Sequence, residues 1–265
     1  MKGPRSHRYP SVVNPFKKFP SRCRALKGTA ATLFLGTVGV VALPFVTPTA
    51  GASTARSSLP TAKSVITATK NAIKGESSVR LNVTSTDSKT KAVETEIADA
   101  GTSSGLQSLV QGQAKAYVRI TKKAAFLGGN SKGLSVIFGV PSADIKKVGT
   151  KWISVAAGST QYTSIVDGGT IGPLLAGLLP ASTAKVTVSH ESLSGQQATA
   201  LSWSETASTG TVKLKLDVAA TGKSLPLEIN ATQGVVHAVT TFAKWGEKIT
   251  VATPTQTIAI TKLTG

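Results

Sequence analysis

Two periodicities divide the chain. Between residues 59 and 74 apolar positions recur at helical spacing. Ala62, Val65, Ile66, Thr69 and Ile73 share one face, and Lys63, Thr67, Lys70 and Lys74 take the other. That stripe predicts an amphipathic helix, with Pro60 suited to its first turn and Gly75 as its stop. After Gly75 the period falls to two. Val79, Leu81 and Val83 alternate with Arg80, Asn82 and Thr84, and Val93, Thr95 and Ile97 alternate with Glu94, Glu96 and Ala98. Further strands fit 106–110, 116–120 and 151–155. The clearest covers 212–218, where Val212, Leu214, Leu216 and Val218 alternate with Lys213, Lys215 and Asp217. Leu225, Leu227 and Ile229 follow a Thr221-Gly222 turn, and 235–243 and 248–251 complete a meander. Such alternation is the habit of an antiparallel sheet with one buried face and one wet face.

Two segments do not alternate. The first, 121–147, contains Phe126, Leu127, Val136, Ile137, Phe138 and Val140, broken by Gly128-Gly129 and Pro141. The second, 162–180, contains Ile165, Ile171, Leu174, Leu175, Leu178 and Leu179. Leu174, Leu175, Leu178 and Leu179 fall on one stripe of a short helix, with Pro173 in its first turn and Pro180 at its end. The expected architecture is one α+β domain over 59–252. A strongly curved antiparallel sheet is covered by an N-terminal helix and by short lid helices near 121–147 and 159–179. Residues 253–265 read as a C-terminal tail and 53–58 as a linker. Uncharged lids over a concave face either pack solid or leave a cavity for an apolar ligand. The candidate cavity residues are Phe126, Val136, Ile137, Phe138, Ile171, Leu174, Leu175, Leu178 and Leu179.

Charge adds a compartment to this picture. Residues 1–27 hold Lys2, Arg5, Arg8, Lys17, Lys18, Arg22, Arg24 and Lys27 and no acid, and 28–46 carries no charge. Small residues then lead to Ala50-Gly51-Ala52. A basic, then apolar, then small-residue order is that of a secretory signal peptide, with cleavage expected after Ala52. The alternative is that 28–46 stays uncut as a membrane anchor. Beyond the leader lie 22 of the 30 basic residues and all 12 acids, a net charge of +10. Its lysines are spread singly, which fits a solvated face drawn to an anionic envelope surface rather than a nucleic-acid site. The one cysteine, Cys23, precedes the apolar run. That excludes a disulfide framework, a Cys-rich metal site and a lipid-carrying Cys after the leader.

Reactive chemistry is sparse. His190 and His237 stand in strand-like text without an H-E-x-x-H or a paired-acid motif, and G-x-S-x-G is missing. The Gly-rich run 128–133 lacks the G-K-[ST] of a phosphate loop and reads as a turn between helical pieces. Trp152, Trp203 and Trp245 are well separated and read first as packing or strand-end anchors. No catalytic residue, metal site or cofactor is expected.

Several stretches resemble a known group, the LolA-like carriers and the mycobacterial LppX/LprG-type lipoproteins. They are the opening helix running into Ser78-Val79-Arg80-Leu81-Asn82-Val83, the strand 149–155 with Trp152, the Leu-rich 174–180, the hairpin 220–229, and the turn Phe242-Ala243-Lys244-Trp245-Gly246. The resemblance spans most of 59–252. It implies a half-open barrel around helices, acyl chains held in its cavity, and no catalysis. The absent lipidation Cys departs from the group. The expectation is therefore an exported, non-enzymatic protein of the cell envelope that binds lipid or another apolar molecule. An envelope structural or interaction protein with a filled core is the alternative, and a hydrolase is the third. The oligomeric state stays open.

Overall fold

A computed structural model describes residues 59–181, 184–207 and 210–263. The leader, its Ala50 and Ala52 cleavage signal, the possible anchor 28–46 and the linker 53–58 lie outside the described residues. Helix α1 (Ala62–Lys74) opens the domain. Thr61 caps it by accepting from the Ser64 backbone N–H, so Pro60 stands just before the cap rather than inside the first turn.

The first meander is β1 (Ser78–Asp87), β2 (Val93–Gly101), β3 (Gly105–Gln111), β4 (Ala114–Ile120), β5 (Ala124–Gly129) and β6 (Trp152–Ala156). The second is β7 (Thr187–Leu193), β8 (Gln196–Ala207), β9 (Gly210–Ala219), β10 (Pro226–Gln233) and β11 (Val236–Ala243). Each strand pairs antiparallel with its sequence neighbour, and the long β1–β11 ladder fuses the two meanders into one sheet. A short β12 (Thr257–Ala259) adds in parallel at the β6 edge, giving the order β12-β6-β5-β4-β3-β2-β1-β11-β10-β9-β8-β7. The two edges do not pair, so the curved sheet stays an open half-barrel. The expected α+β class and antiparallel sheet are what the chain adopts.

Register assigns the faces. Leu81 stands opposite Ala98 and Phe242, and Leu216 opposite Leu201 and Ile229. These define the concave face, and Val212, Leu214, Leu216 and Val218 all point to it while Lys213, Lys215 and Asp217 point away. Two main cores cover this face side by side, and a small third cluster joins Ala207, Val212 and Ala231. The first core joins Val79, Leu81, Leu201, Trp203, Leu216 and Phe242 to Val65 of α1 and to α4 (Ile171–Leu175). The second core joins Val118, Ile120, Leu127, Ile153 and Val155 to α2 (Ser142–Val148), α3 (Thr160–Gly169) and a wide helical turn over Gly133–Ile137.

The structure corrects three expectations. Residues 124–129 form a strand, not part of a helical insertion, so Gly128-Gly129 ends β5. Ala125, Phe126 and Leu127 are buried in succession, and a strand covered on both faces shows no polar alternation to read. Residues 248–251 do not join the sheet, because β11 and β1 already occupy each other's edges. Within the expected tail 253–265, the described residues to 263 belong to the domain. They supply β12, and Ile260 and Leu263 are buried in the second core.

The wide turn is held by Asn130 and Gly133. Asn130 Oδ1 accepts from the Gly133 N–H at 2.7 Å and the Lys115 N–H at 3.2 Å, and its amide donates to the Gln113 carbonyl at 2.8 Å. A Cβ on Gly133 would lie 1.9 Å from the Lys115 carbonyl oxygen of β4. Gly133→Ala should therefore force the turn off β4 and cost about 2–4 kcal/mol. Gly172→Ala, where a Cβ meets no atom within 4 Å, serves as the comparison. Chemical denaturation of both variants checks this, with loss confined to Gly133→Ala as the expected outcome.

Candidate functional site: the open end of the concave face

Strand β6 lies near one edge of the sheet and β7 forms the other. The chain between them must cross the whole concave face, and α3 and α4 are that crossing. Ser159 caps α3 by accepting from the Tyr162 N–H, and Ile165 enters the second core. At the end of α3 the backbone nearly touches the sheet. Gln107 Nε2 of β3 donates to the Gly168 carbonyl at 2.7 Å, and a Cβ on Gly105 would sit 2.3 Å from the Gly169 carbonyl oxygen. Only paired glycines permit that approach. Beyond this point Ile171, Leu174, Leu175 and Leu178 enter the first core.

The crossing fills one end of the concave face, where β3, β9 and β11 contribute Gly105, Val218 and Phe242. Toward the other end the same face continues past the crossing to Ala207, Val212 and Ala231, a small buried cluster of their own. Val83, Glu96 and Thr240 stand side by side there through the β2–β1–β11 register, and Leu109 follows Glu96 across β3. Ile229 extends the row on β10 and leads to Leu216 of the first core on β9, with Leu214 one step farther along that strand. Val83, Glu96, Leu109, Leu214, Ile229 and Thr240 are half-buried, although each points to the side on which neighbouring leucines are fully enclosed. Polar groups rim this end. Gln111 donates to Glu94 at 2.5 Å, and Trp203 donates to Glu205 at 2.9 Å.

Glu96 is the chemically unusual member. Burial beside Val83 and Leu109 raises its carboxyl to about 7. The neutral acid is thus substantially populated at neutral pH, which leaves this end of the face less polar than its sequence suggests.

The candidate cavity residues do not come together in one place. Phe138 lies in the second core, and Ile137 packs against it. Ile171, Leu174, Leu175 and Leu178 lie in the first core, with Leu179 packed half-buried against it. Val136 is 58% exposed on the wide turn. Phe126 points to the convex face, opposite Arg119 and Ser154. Val83, Glu96, Thr240 and Leu109 escaped the sequence reading because their neighbours look like any alternating strand. A signal was present in Glu94 and Glu96, two acids flanking Thr95 so that both face the core. His190 and His237 are exposed, and His237 Nδ1 lies 3.2 Å from Thr232 Oγ1. Among the described residues no three His, Cys, Asp or Glu side chains converge to hold a metal ion, and no helix is long and apolar enough to cross a membrane.

No protein-family model and no curated protein sequence matches the chain. Among solved structures it is similar to LprF from Mycobacterium bovis, at 13% identity and a TM-score of 0.48, over 74% of this chain and 99% of that one. It is also similar to the Mycobacterium tuberculosis lipoprotein LppX, at 14% identity and a TM-score of 0.45, over 72% and 98% of the two chains.

A raised carboxyl has a definite effect on stability. The folded state holds the Glu96 proton more tightly than the unfolded chain, so its contribution is full below the unfolded value near 4.5 and is lost as pH rises through about 7. Glu96→Gln should remove that loss and raise stability at pH 8 by about 1–2 kcal/mol relative to wild type. Denaturation curves of both proteins at pH 4.5 and 8 test this. The gap should open only at the higher pH.

Proposed function

We propose that the protein is an exported, non-enzymatic envelope protein that holds a lipid or other apolar molecule at the open end of its concave face. One observation carries the reading. The crossing packs one part of the concave face solid, while farther along Val83 and Ile229 flank Thr240, and Leu109 lies beyond Glu96, all only partly buried. Aliphatic side chains of that kind, recessed in a curved sheet and interspersed with Thr240 and Glu96, are stabilised by whatever apolar surface covers them. Glu96, raised to about 7 and so partly protonated at neutral pH, adds less penalty to an acyl chain laid against it than an ordinary carboxylate would. The crossing leucines Leu174, Leu175 and Leu178 form the wall at the closed end, and Leu179 stands at its margin. The chain's positive charge suits export to an anionic envelope surface.

The filled-core reading has its own support, because Leu178 is 1% exposed and Leu174 and Leu175 are almost as enclosed. Saturable uptake of a fluorescent fatty acid separates the two. Val83→Asp places a charge on the open surface and should weaken uptake by about tenfold or more with little change in melting temperature. Val93→Asp, on an exposed convex position, should leave uptake unchanged. Leu178→Asp should instead unfold the domain by several kcal/mol. Wild-type protein that takes up no probe, or equal uptake by Val83→Asp, establishes the filled core.

A further inference from the structure

The convex face of the first meander carries a second, unrelated surface. Alternate positions of four strands meet there: Ile97 and Asp99 of β2, Leu106 and Ser108 of β3, Tyr117 and Arg119 of β4, and Trp152 of β6. They line a groove of about 360 Å³, open to solvent, with Ile97 50% and Tyr117 41% exposed. A second hollow of about 340 Å³ adjoins it, shares Arg119 and Trp152, and is rimmed by Thr150, Thr253, Thr255 and Gln256.

The groove is built, not incidental. The Trp152 indole lies flat across Gly128, where a Cβ would come within 2.8 Å of the ring. Tyr117, opposite Gly128 in the ladder, meets that indole at 6.4 Å between ring centres and a 43° tilt. The Arg119 guanidinium sits 4.5 Å from the indole centre, and its Nη1 donates to the Ala252 carbonyl at 2.9 Å. Stacked and tethered, Arg119 is fixed as a ridge between the two hollows with further N–H groups to offer. Across the groove, Arg80 Nε and Nη2 bond both oxygens of Asp99 at 2.6 Å. That fork holds the Asp99 carboxylate as an acceptor of fixed direction. Lysine outnumbers arginine heavily among the described residues, yet of their two arginines Arg119 lines this groove and Arg80 holds its Asp99.

The lining selects its ligand by chemistry. The floor of Tyr117, Ile97 and Leu106 suits a ring with an apolar C–H face, and gives nothing to a bare phosphate ion. The rim of Asp99, Ser108 and threonine hydroxyls suits hydroxyl groups, and would be left unpaired by an alkyl chain. Arg80 is matched by Asp99 with Glu247 near it, which leaves Arg119 as the groove's cation not paired with a carboxylate. We propose that this groove binds an acidic saccharide. The sugar ring lies on Tyr117, its hydroxyls bond Asp99 and Ser108, and its carboxylate meets Arg119 beside the threonine-lined hollow. This surface lies on the opposite side of the sheet from the proposed apolar site and does not depend on it.

Titration of the purified protein with trigalacturonate, followed by calorimetry, tests the assignment, with maltotriose and inorganic phosphate as comparisons. Trigalacturonate should bind at least about tenfold more tightly than either. Arg119→Lys keeps the charge but loses the stacked fork, and Tyr117→Ser removes the floor. Each should weaken binding by about tenfold while melting within a few degrees of wild type. Fatty-acid uptake by both variants should match wild type, which separates this site from the concave one. The assignment is overturned if wild type does not bind trigalacturonate, if maltotriose or phosphate binds as well, or if both variants bind undiminished.

Discussion

The crossing of the concave face is the constraint on which this fold depends. The sheet order puts β6 and β7 at opposite sides, so residues between them must traverse nine intervening strands or leave the domain. They traverse it on the concave side, where a backbone is covered and its polar groups need internal partners. The α3 helix satisfies most of them, and Gln107 supplies a partner for the Gly168 carbonyl. The glycine pair Gly105 and Gly169 allows the crossing to lie against β3 rather than above it. Because the crossing hugs one end of the strands, the other end of the same face is left to different cover.

That geometry explains why the leucines of α4 are structural. Its five residues are far too few to hold a helix unaided. It exists because Ile171, Leu174 and Leu175 dock on Leu201, Leu216 and Val218. Their burial is therefore a condition of the crossing. A site for an apolar molecule has to be sought where the crossing does not reach, around Val83 and Glu96.

The fold was largely legible in the sequence wherever one face of a strand is wet. Alternation at 79–84 and 212–218 marked two strands because their outward residues are Arg, Asn, Thr, Lys or Asp, and at 93–98 it marked a strand but with its acids Glu94 and Glu96 on the core side and Val93 and Ile97 outside. It failed at β5, where Phe126 is buried against the convex side and Leu127 against the concave one. It failed again at β12, three residues long and paired in parallel through chain distant in sequence. The lid leucines were visible as an apolar stripe, but periodicity cannot tell a cavity wall from a core, since both are made of the same residues. The concave row Val83, Glu96 and Leu109 depends on register across three strands, and no single stretch of sequence contains it. The convex groove was hidden for the same reason: Gly128 and Trp152 look unrelated until β5 and β6 are set side by side.

The two proposals assign the two faces of one sheet to different ligands, an apolar molecule on the concave side and an acidic saccharide on the convex side. The claim most exposed to test is that the concavity is occupied in its natural setting. Native mass spectrometry of the protein, purified without detergent from the cells that make it, measures this directly. The account predicts a bound species of defined mass that organic extraction removes and that is recovered as an apolar molecule. A spectrum of the bare polypeptide alone, under conditions that preserve non-covalent complexes, would contradict it.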